Sequence, residues 1–359
     1  MEFEREALAV AVTANLPVIL WGAPGTGKTS VVTALGAAAG LPVEVVVGSI
    51  REPSDFSGLP VLRDGGTWFA PPRWAERLAA EGGGLLFLDE LTTAPPAVQA
   101  AMLRVVLERT VGDLALPGEV RIVAAANPPE QAADGWDLSA PLANRLIHLD
   151  WTVSAEDIAE GFAGGFPVPE FDVKGTAGPA AVAGAQALVG AFLRVRPDLV
   201  LAVPDSPDRA GRGWPSPRSW EMAARAVAAC EHMGAGEAVL AKLVLGAVGE
   251  AAGFELLSWR RNLDLPDPQT LLNNPQARLP ERLDRLHALL AAVVAYVHAD
   301  GTADTWERAW TVMAQVARTA PDVAAASARS LARSRPEGAS LPDSMLELAP
   351  VLRSAGLMR

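Results

Sequence analysis

One stretch constrains this chain more than any other: Val18-Ile19-Leu20-Trp21-Gly22-Ala23-Pro24-Gly25-Thr26-Gly27-Lys28-Thr29. A short apolar run, the spacing G-x-x-x-x-G-K-T and an Ala/Val-rich run to Gly40 read as strand, phosphate-binding loop and helix. Gly22, Gly25 and Gly27 let the backbone turn sharply and aim N–H groups at an anion. The helix that follows adds a positive dipole end. Lys28 is placed to reach β- and γ-phosphates, and the Thr29 hydroxyl to take one Mg²⁺ position. Gly22, Ala23, Pro24, Gly25, Thr26, Gly27, Lys28, Thr29 and Ser30 are thus the expected binding segment for a nucleoside triphosphate.

The 359 residues, half of them hydrophobic, suffice for two or three domains with real cores. A net charge of −12 argues against a nucleic-acid partner held by bulk electrostatics. Cys230 is the only cysteine, which excludes a disulfide framework and a Cys-rich metal site. The acidic start, Met1-Glu2-Phe3-Glu4-Arg5-Glu6, is unlike a signal peptide. No apolar run approaches the ~18 residues of a membrane span. The expected location is cytoplasmic.

Residues 3–15 are expected to form a helix with Phe3, Ala7, Leu8, Ala11 and Val12 near one face. Beyond the loop, a helix over 28–39 stops at Gly40, and Val43–Val47 reads as a second strand. Further apolar runs at 85–88, 120–125 and 146–149 end in Asp89-Glu90, Asn127-Pro128-Pro129 and Asp150. Short strands alternating with helices predict a parallel α/β sheet with its ligand beyond the carboxyl ends of the strands. Leu59–Phe69, around Asp64-Gly65-Gly66, reads as a hairpin, and Thr110–Leu116, around Gly112-Asp113, as a second hairpin or a surface loop.

From about Thr152 the pattern changes. Gly164–Pro169 and Thr176–Pro179 read as linker, and helical patterns follow at 179–195, 218–233, 236–258, 281–298 and 304–318. Asp264–Pro280 is a Pro/Asn-rich loop between helices, and Trp306, Trp310 and Met313 share a face as core packing. Ala324–Arg359 reads as weakly helical with a break at Arg335-Pro336-Glu337-Gly338. The expected division is a nucleotide-binding core over 1–152, a linker over 153–178, a helical domain over 179–300 and a helical C-terminal extension over 301–359.

Four further signals carry chemistry. Asp89-Glu90 ends an apolar run 60 residues after Thr29. There Asp89 can hold the Mg²⁺ shell, and Glu90 can polarise a water for in-line attack on a γ-phosphate. Asn127, alone a turn residue before Pro128, stands where a neutral side chain can orient that water. Arg145, in Leu138-Ser139-Ala140-Pro141-Leu142-Ala143-Asn144-Arg145, lies too far around the sheet to serve its own nucleotide. It can reach a neighbouring subunit's γ-phosphate, a surface salt bridge being the alternative. In Pro215-Ser216-Pro217-Arg218, Ser216 suits an N-cap and Pro217 the first helical position. Arg218 then sits in the first turn, where a cation is unfavourable unless an anion, or an acid of the chain, faces it.

In this order the signals resemble the AAA+ ATPases and, more narrowly, the MoxR-type group. Gly22–Thr29 looks like Walker A, Leu85–Glu90 like Walker B and Asn127 like sensor 1; Arg145 resembles the arginine finger and Arg218 the sensor 2 arginine. Glu52-Pro53-Ser54-Asp55-Phe56-Ser57-Gly58, Pro95-Pro96-Ala97-Val98-Gln99 and Leu107-Glu108-Arg109 resemble MoxR-type motifs, the likeness running over about residues 5–150. Two departures mark a divergent member. Leu91-Thr92-Thr93 stands where many relatives have Ile-Asn-Arg, and Ala143-Asn144 where Leu-Asp is usual.

The resemblance implies a five-stranded αβα core, a helical lid and a helical extension, in a hexameric ring with ATP and Mg²⁺ between subunits. It makes 59–69 the helix-2 insert and 110–116 the hairpin before sensor 1, both facing the pore or substrate. It also implies a chaperone-like remodeller of a protein client with a von Willebrand factor A-type partner. ATP hydrolysis would use Glu90, Asn127, Lys28 and Mg²⁺, Arg145 from the next subunit, and Arg218 as the link to lid motion. The alternatives are a chelatase-like metal-insertion subunit, a nucleic-acid motor and a nucleotide-gated scaffold.

Overall fold

The structure, a computed structural model, describes residues 2–63, 65–128, 135–168, 175–263, 265–274 and 277–354. Asp64, Pro129, Pro169, Asp264 and the last five residues of the tail, all within segments read above, lie outside the described residues.

Helix α1 (Glu2–Thr13) buries Ala7, Leu8, Ala11 and Val12 as expected, while Phe3 is exposed. It leads into β1 (Val18–Trp21), α2 (Lys28–Ala38) and β2 (Val43–Val47). A 3₁₀ turn (Gly48–Ile50) and the one-turn helix α3 (Ser54–Ser57) precede a hairpin of β3 (Leu59–Arg63) and β4 (Gly66–Ala70). Then come α4 (Arg73–Ala80), β5 (Gly84–Asp89), α5 (Pro96–Glu108) and a short hairpin, β6 (Thr110–Val111) with β7 (Leu114–Ala115). Strand β8 (Val120–Ala126), α6 (Ala140–Ala143) and β9 (Ile147–Asp150) complete the sheet.

The five long strands form one parallel sheet in the order β2-β5-β8-β1-β9. Interior β1, β5 and β8 are continuous apolar runs because both faces are covered. Ile19, Leu86, Leu88, Ile122 and Ala124 join a core with Trp74, Leu78, Val98 and Met102 from α4 and α5. The alternating residues Leu20, Leu85, Phe87 and Val123 are just as buried on the other face. Each such Leu or Phe contributes about 1.5–3 kcal/mol by leaving water. The two hairpins are tied to each other: Asp113 N–H donates to the Phe69 carbonyl (3.0 Å), and Phe69 N–H to the Asp113 carboxylate (2.8 Å).

The remainder is helical: α7 (Ala155–Gly164), α8 (Pro179–Val195), α9 (Pro207–Ala210), α10 (Pro217–Met233), α11 (Glu237–Val248) and α12 (Glu250–Arg261). After them come α13 (Pro268–Asn273), α14 (Leu283–Asp300), α15 (Ala303–Ala317), α16 (Pro321–Arg333), α17 (Asp343–Glu347) and α18 (Ala349–Ser354). No described helix is long and apolar enough to cross a membrane.

Four features differ from the linear reading. The expected loop over 264–280 carries α13, whose N-cap Asp267 accepts from Thr270 N–H (2.8 Å). The expected linker, 153–178, contains α7, nucleated by a capping box in which Ser154 Oγ accepts from Asp157 N–H (3.1 Å) and Asp157 accepts from Ser154 N–H (2.9 Å). The run expected as one helix over 236–258 is two, broken at Gly249, whose φ of 83° is outside helical space. Finally, the chain forms two compact units, residues 1–176 with 201–254 and residues 177–200 with 255–359, which cut across the boundaries at 179 and 300. Tertiary partners explain this division. Helices α10 and α11 pack on α1, and α11 also on β9, whereas α8 packs on α14. In the second unit Trp306 and Trp310 are buried and meet edge to face (centroids 5.6 Å apart), as core packing requires.

Candidate functional site

The strand order places the polar residues. Because β8 lies between β5 and β1, the carboxyl ends of these strands set Asp89-Glu90, Asn127 and the glycine loop side by side. The loop is tightly held: a Cβ on Gly22 would stand 2.5 Å from the Trp151 carbonyl oxygen. Thr26 Oγ1 donates to the Ala23 carbonyl (2.8 Å), and Trp151 Nε1 to the Thr26 carbonyl (3.1 Å). Gly27 caps α2 in the left-handed region (φ 81°) with no side-chain cap and no acid in the first turn. The first N–H groups of α2 and its positive dipole end are therefore directed at the loop.

Lys28 is buried, and its Nζ donates to the carbonyls of Gly22 (2.7 Å) and Ala23 (3.0 Å) and to Asn127 Oδ1 (3.2 Å). Burial pulls its pKa below the ordinary lysine value, opposed by the charge of Asp89. Thr29 Oγ1 donates to Asp89 Oδ2 (2.8 Å). That hydroxyl–carboxylate pair is a hard-oxygen set suited to Mg²⁺. Ser30 follows on the exposed side of the helix start, and Pro24 and Gly25 form the exposed tip of the loop.

Glu90 adopts φ 56°, rare for a residue with a side chain and of order 1–3 kcal/mol in strain. Its surroundings hold it there. Glu90 N–H donates to Asp89 Oδ1 (2.9 Å), Thr93 Oγ1 to the Glu90 carbonyl (2.9 Å) and Leu91 N–H to the Ala125 carbonyl (2.9 Å). The buried Thr92 hydroxyl donates to the Asn127 carbonyl (3.2 Å). The Leu91-Thr92-Thr93 departure thus supplies the hydroxyls that fix Glu90 and Asn127. Ser49, on the turn after β2, donates its hydroxyl to Glu90 Oε2. Ser49 was absent from the sequence reading, since only the β2–β5 pairing reveals which strand end neighbours Glu90.

Arg145 and Arg218 do not join this group. The register pairs Val18 with Ile147 and Trp21 with Asp150. Arg145, two residues ahead of Ile147, therefore lies beyond the amino end of β1, while the glycine loop follows its carboxyl end. The strand between them spans about 13 Å at ~3.3 Å per residue. Arg145 donates to the Pro141 carbonyl, and its buried Nε has no partner among the described residues. Burial, and then the charge of Arg218, push its pKa down. Arg218 is exposed at the second position of α10 and has no ion pair among the described residues. Arg218 thus stands close enough to Arg145 for the two charges to act on each other. Arg109, by contrast, is engaged internally, donating to the Val120 carbonyl and to Asn15 Oδ1 (3.1 Å).

A buried relay crosses the sheet between the two regions. Trp21 Nε1 donates to His148 Nδ1 (2.9 Å), and His148 Nε2 lies 3.0 Å from the Ala143 carbonyl. Accepting at Nδ1 requires the neutral ring, with its hydrogen on Nε2. Burial, with a smaller push from Arg212, lowers the His148 pKa to about 4. The Arg212 guanidinium lies over the Trp21 ring, 4.2 Å from its centroid, and pairs with Asp150 (3.0 Å). A cavity of about 1100 Å³, lined by Phe3, Arg5, Ser154, Glu160 and His232 among others, includes none of the residues above.

Residues 17–146 match the AAA domain (dynein-related subfamily). The chain is 32% identical over 146 residues to the C4-dicarboxylate transport transcriptional regulatory protein DctD of Rhizobium meliloti, covering 35% of this chain and 29% of that protein. It is 35% identical over 119 residues to the Psp operon transcriptional activator of Escherichia coli, covering 31% and 37% respectively. The chain thus spans about a third of the length of these curated relatives. A crystal structure of a candidate ATPase from Cytophaga hutchinsonii overlays with a TM-score of 0.45 at 17% identity, covering 68% of this chain and 79% of that one. The segment 17–146 thus resembles an AAA domain, and the chain, with its five-stranded parallel sheet and glycine loop, has an α/β fold of the AAA+ type.

Proposed function

We propose that this protein is an ATP-hydrolysing AAA+ motor of the MoxR type, acting as a ring with nucleotide at subunit interfaces. The observation that carries the reading is the convergence of Lys28, Thr29, Asp89, Glu90 and Asn127 at three neighbouring strand ends. The α2 amides and Lys28 hold the phosphates; Lys28, already near Asn127, keeps that amide close to the γ-position. Glu90 orients and deprotonates the attacking water, supported by Asn127. Thr29 and Asp89 would hold Mg²⁺, which when bound neutralises the phosphate oxygens. Arg145 and Arg218, displaced together from their own loop, act on the γ-phosphate of a neighbouring copy, where they stabilise charge as it moves to the leaving oxygen.

The β3–β4 hairpin exposes Leu59, Val61, Leu62 and Phe69, and its tie to the β6–β7 hairpin makes one apolar surface suited to a polypeptide client. A von Willebrand factor A-type partner and a remodelling role belong to the same reading. The match of residues 17–146 to the AAA domain supports the ATPase part of this reading.

The test is ATPase rate against protein concentration, with mass by light scattering in ATP, for wild type and Glu90→Gln. The reading expects a cooperative rise with assembly and a ring that Glu90→Gln traps. Slow hydrolysis independent of concentration, without assembly, removes the ring motor and leaves a nucleotide-gated scaffold.

A further inference from the structure

Between the two arginines lies a buried side chain that the mechanism above does not use. Asn144, 3% exposed, follows α6 and immediately precedes Arg145. Its Nδ2 donates to the Trp214 carbonyl (2.9 Å), and its Oδ1 accepts from the Ser216 hydroxyl (2.6 Å). Ser216 is in turn the N-cap of α10, its Oγ accepting from Ser219 N–H (3.1 Å) while Ser219 Oγ accepts from Ser216 N–H (2.9 Å). Both serines are buried. Arg218 stands two residues beyond Ser216. One amide therefore grips the chain just ahead of α10 by its carbonyl and by its capping hydroxyl, and carries Arg145 as its direct neighbour.

The residue type matters. An amide donates to a carbonyl and accepts from a hydroxyl at once; a carboxylate cannot donate, and an apolar side chain of the same size does neither. Cutting this link takes one hydrogen bond from the buried Ser216 hydroxyl and one from the Trp214 carbonyl, which keeps its bond from the Ser219 hydroxyl (2.8 Å). It also leaves α6 and α10 free to shift separately, and with them the two guanidiniums.

We propose that Asn144 is a positioning residue that sets Arg145 and Arg218 in one frame, so that the two act as a single clamp on a phosphate held by a neighbouring copy of the chain. This rests on the interface role proposed above for the two arginines. The clamp ties their geometry to the start of α10, so a movement of that helix displaces both cations together.

The experiment measures kcat and KM for ATP on the full-length protein, with circular dichroism as a check of folding, for Asn144→Leu in wild-type and Arg218→Ala backgrounds. We expect Asn144→Leu to lower kcat about 10- to 100-fold in the wild-type background, the scale of misplacing a catalytic group. The KM for ATP should move less than about threefold, since phosphate binding by the same chain is untouched. In the Arg218→Ala background the same substitution should cost less than about threefold, because coupled residues are not additive. An equal cost in both backgrounds means a structural role only and overturns the proposal. So does an unchanged kcat where Arg145→Ala and Arg218→Ala each lower it. If neither arginine variant lowers kcat, the interface reading itself falls, and the clamp with it. Should Asn144→Leu lose its fold, Asn144→Asp keeps the Ser216 contact and loses the donor to Trp214. The clamp then expects a smaller kcat loss that vanishes in the Arg218→Ala background, and no loss overturns it.

Discussion

The phosphate-loop group and the arginine pair are built on the same sheet, yet they differ in what one chain supplies. Every charged member of the first has a partner of its own chain: Lys28 on Asn127, Asp89 on Thr29, Glu90 on Ser49. The second holds two like charges near one another, with a buried Nε unpartnered on Arg145 and Arg218 exposed. Gathering cations without an acid is unfavourable unless an anion comes to them. The contrast separates the two tasks of the proposed cycle. Holding nucleotide is a property of one chain; completing the charge around the reacting phosphate needs a second.

The sharpest way to break this contrast is Arg145→Ala. It should lower kcat by about 10³–10⁵-fold while leaving the affinity for ATP nearly unchanged. Lys28→Ala should instead abolish binding. Mixing Arg145→Ala with Glu90→Gln subunits should restore activity, because some interfaces then combine an intact Glu90 with an intact Arg145. No recovery on mixing, with each variant still assembling, would falsify the division between chains. Glu90→Gln alone should cost about 10²–10⁴-fold in kcat, the range of general-base catalysis, with nucleotide still bound tightly.

The relay between the regions gives a third handle. His148 is held neutral in the fold, with a pKa of about 4, and returns toward 6.5 on unfolding. The unfolded chain then binds the extra proton first. The contribution of the neutral ring is present in full above pH ~6.5 and is lost as pH falls toward ~4, about 3 kcal/mol in all. Urea melts of wild type between pH 7 and pH 4, set against His148→Leu, should show a steeper loss in wild type; parallel curves would remove His148 as the cause. The smallest effect is expected at Thr92→Val, which deletes the hydroxyl on the Asn127 carbonyl. About 1 kcal/mol of stability, the usual worth of one such bond, should go, with kcat lowered only a few-fold. A loss in kcat as deep as that of Glu90→Gln would mean that Thr92 belongs to the chemistry rather than to its support.

Much of the sheet was legible because its signals are local. A parallel strand buried on both faces must be an apolar run, so β1, β5 and β8 announce themselves, and the loop spacing from Gly22 to Thr29 names its own ligand chemistry. The capping box of Ser154 is equally local, and it starts a helix inside the stretch whose glycines and prolines suggest a linker. Ser49 and Asn144 were of another kind. Nothing near them in the chain marks them, since one becomes informative only when β2 pairs with β5, and the other only when α10 docks its N-cap on the end of α6.

By itself, then, the sequence determined the strand–loop–helix that holds phosphate, the acids that end a later strand and the all-helical character of the second half. Each of these depends on residues within one turn or one strand of each other. Only the tertiary structure decided which helices share a core and which strand ends are neighbours, and that Arg145 lies beyond the opposite end of β1 within reach of the charge of Arg218. Those outcomes depend on pairings between residues far apart in the chain, 72 positions for Asn144 and Ser216 and 238 for Glu4 and Lys242, where packing rather than local propensity selects the partner.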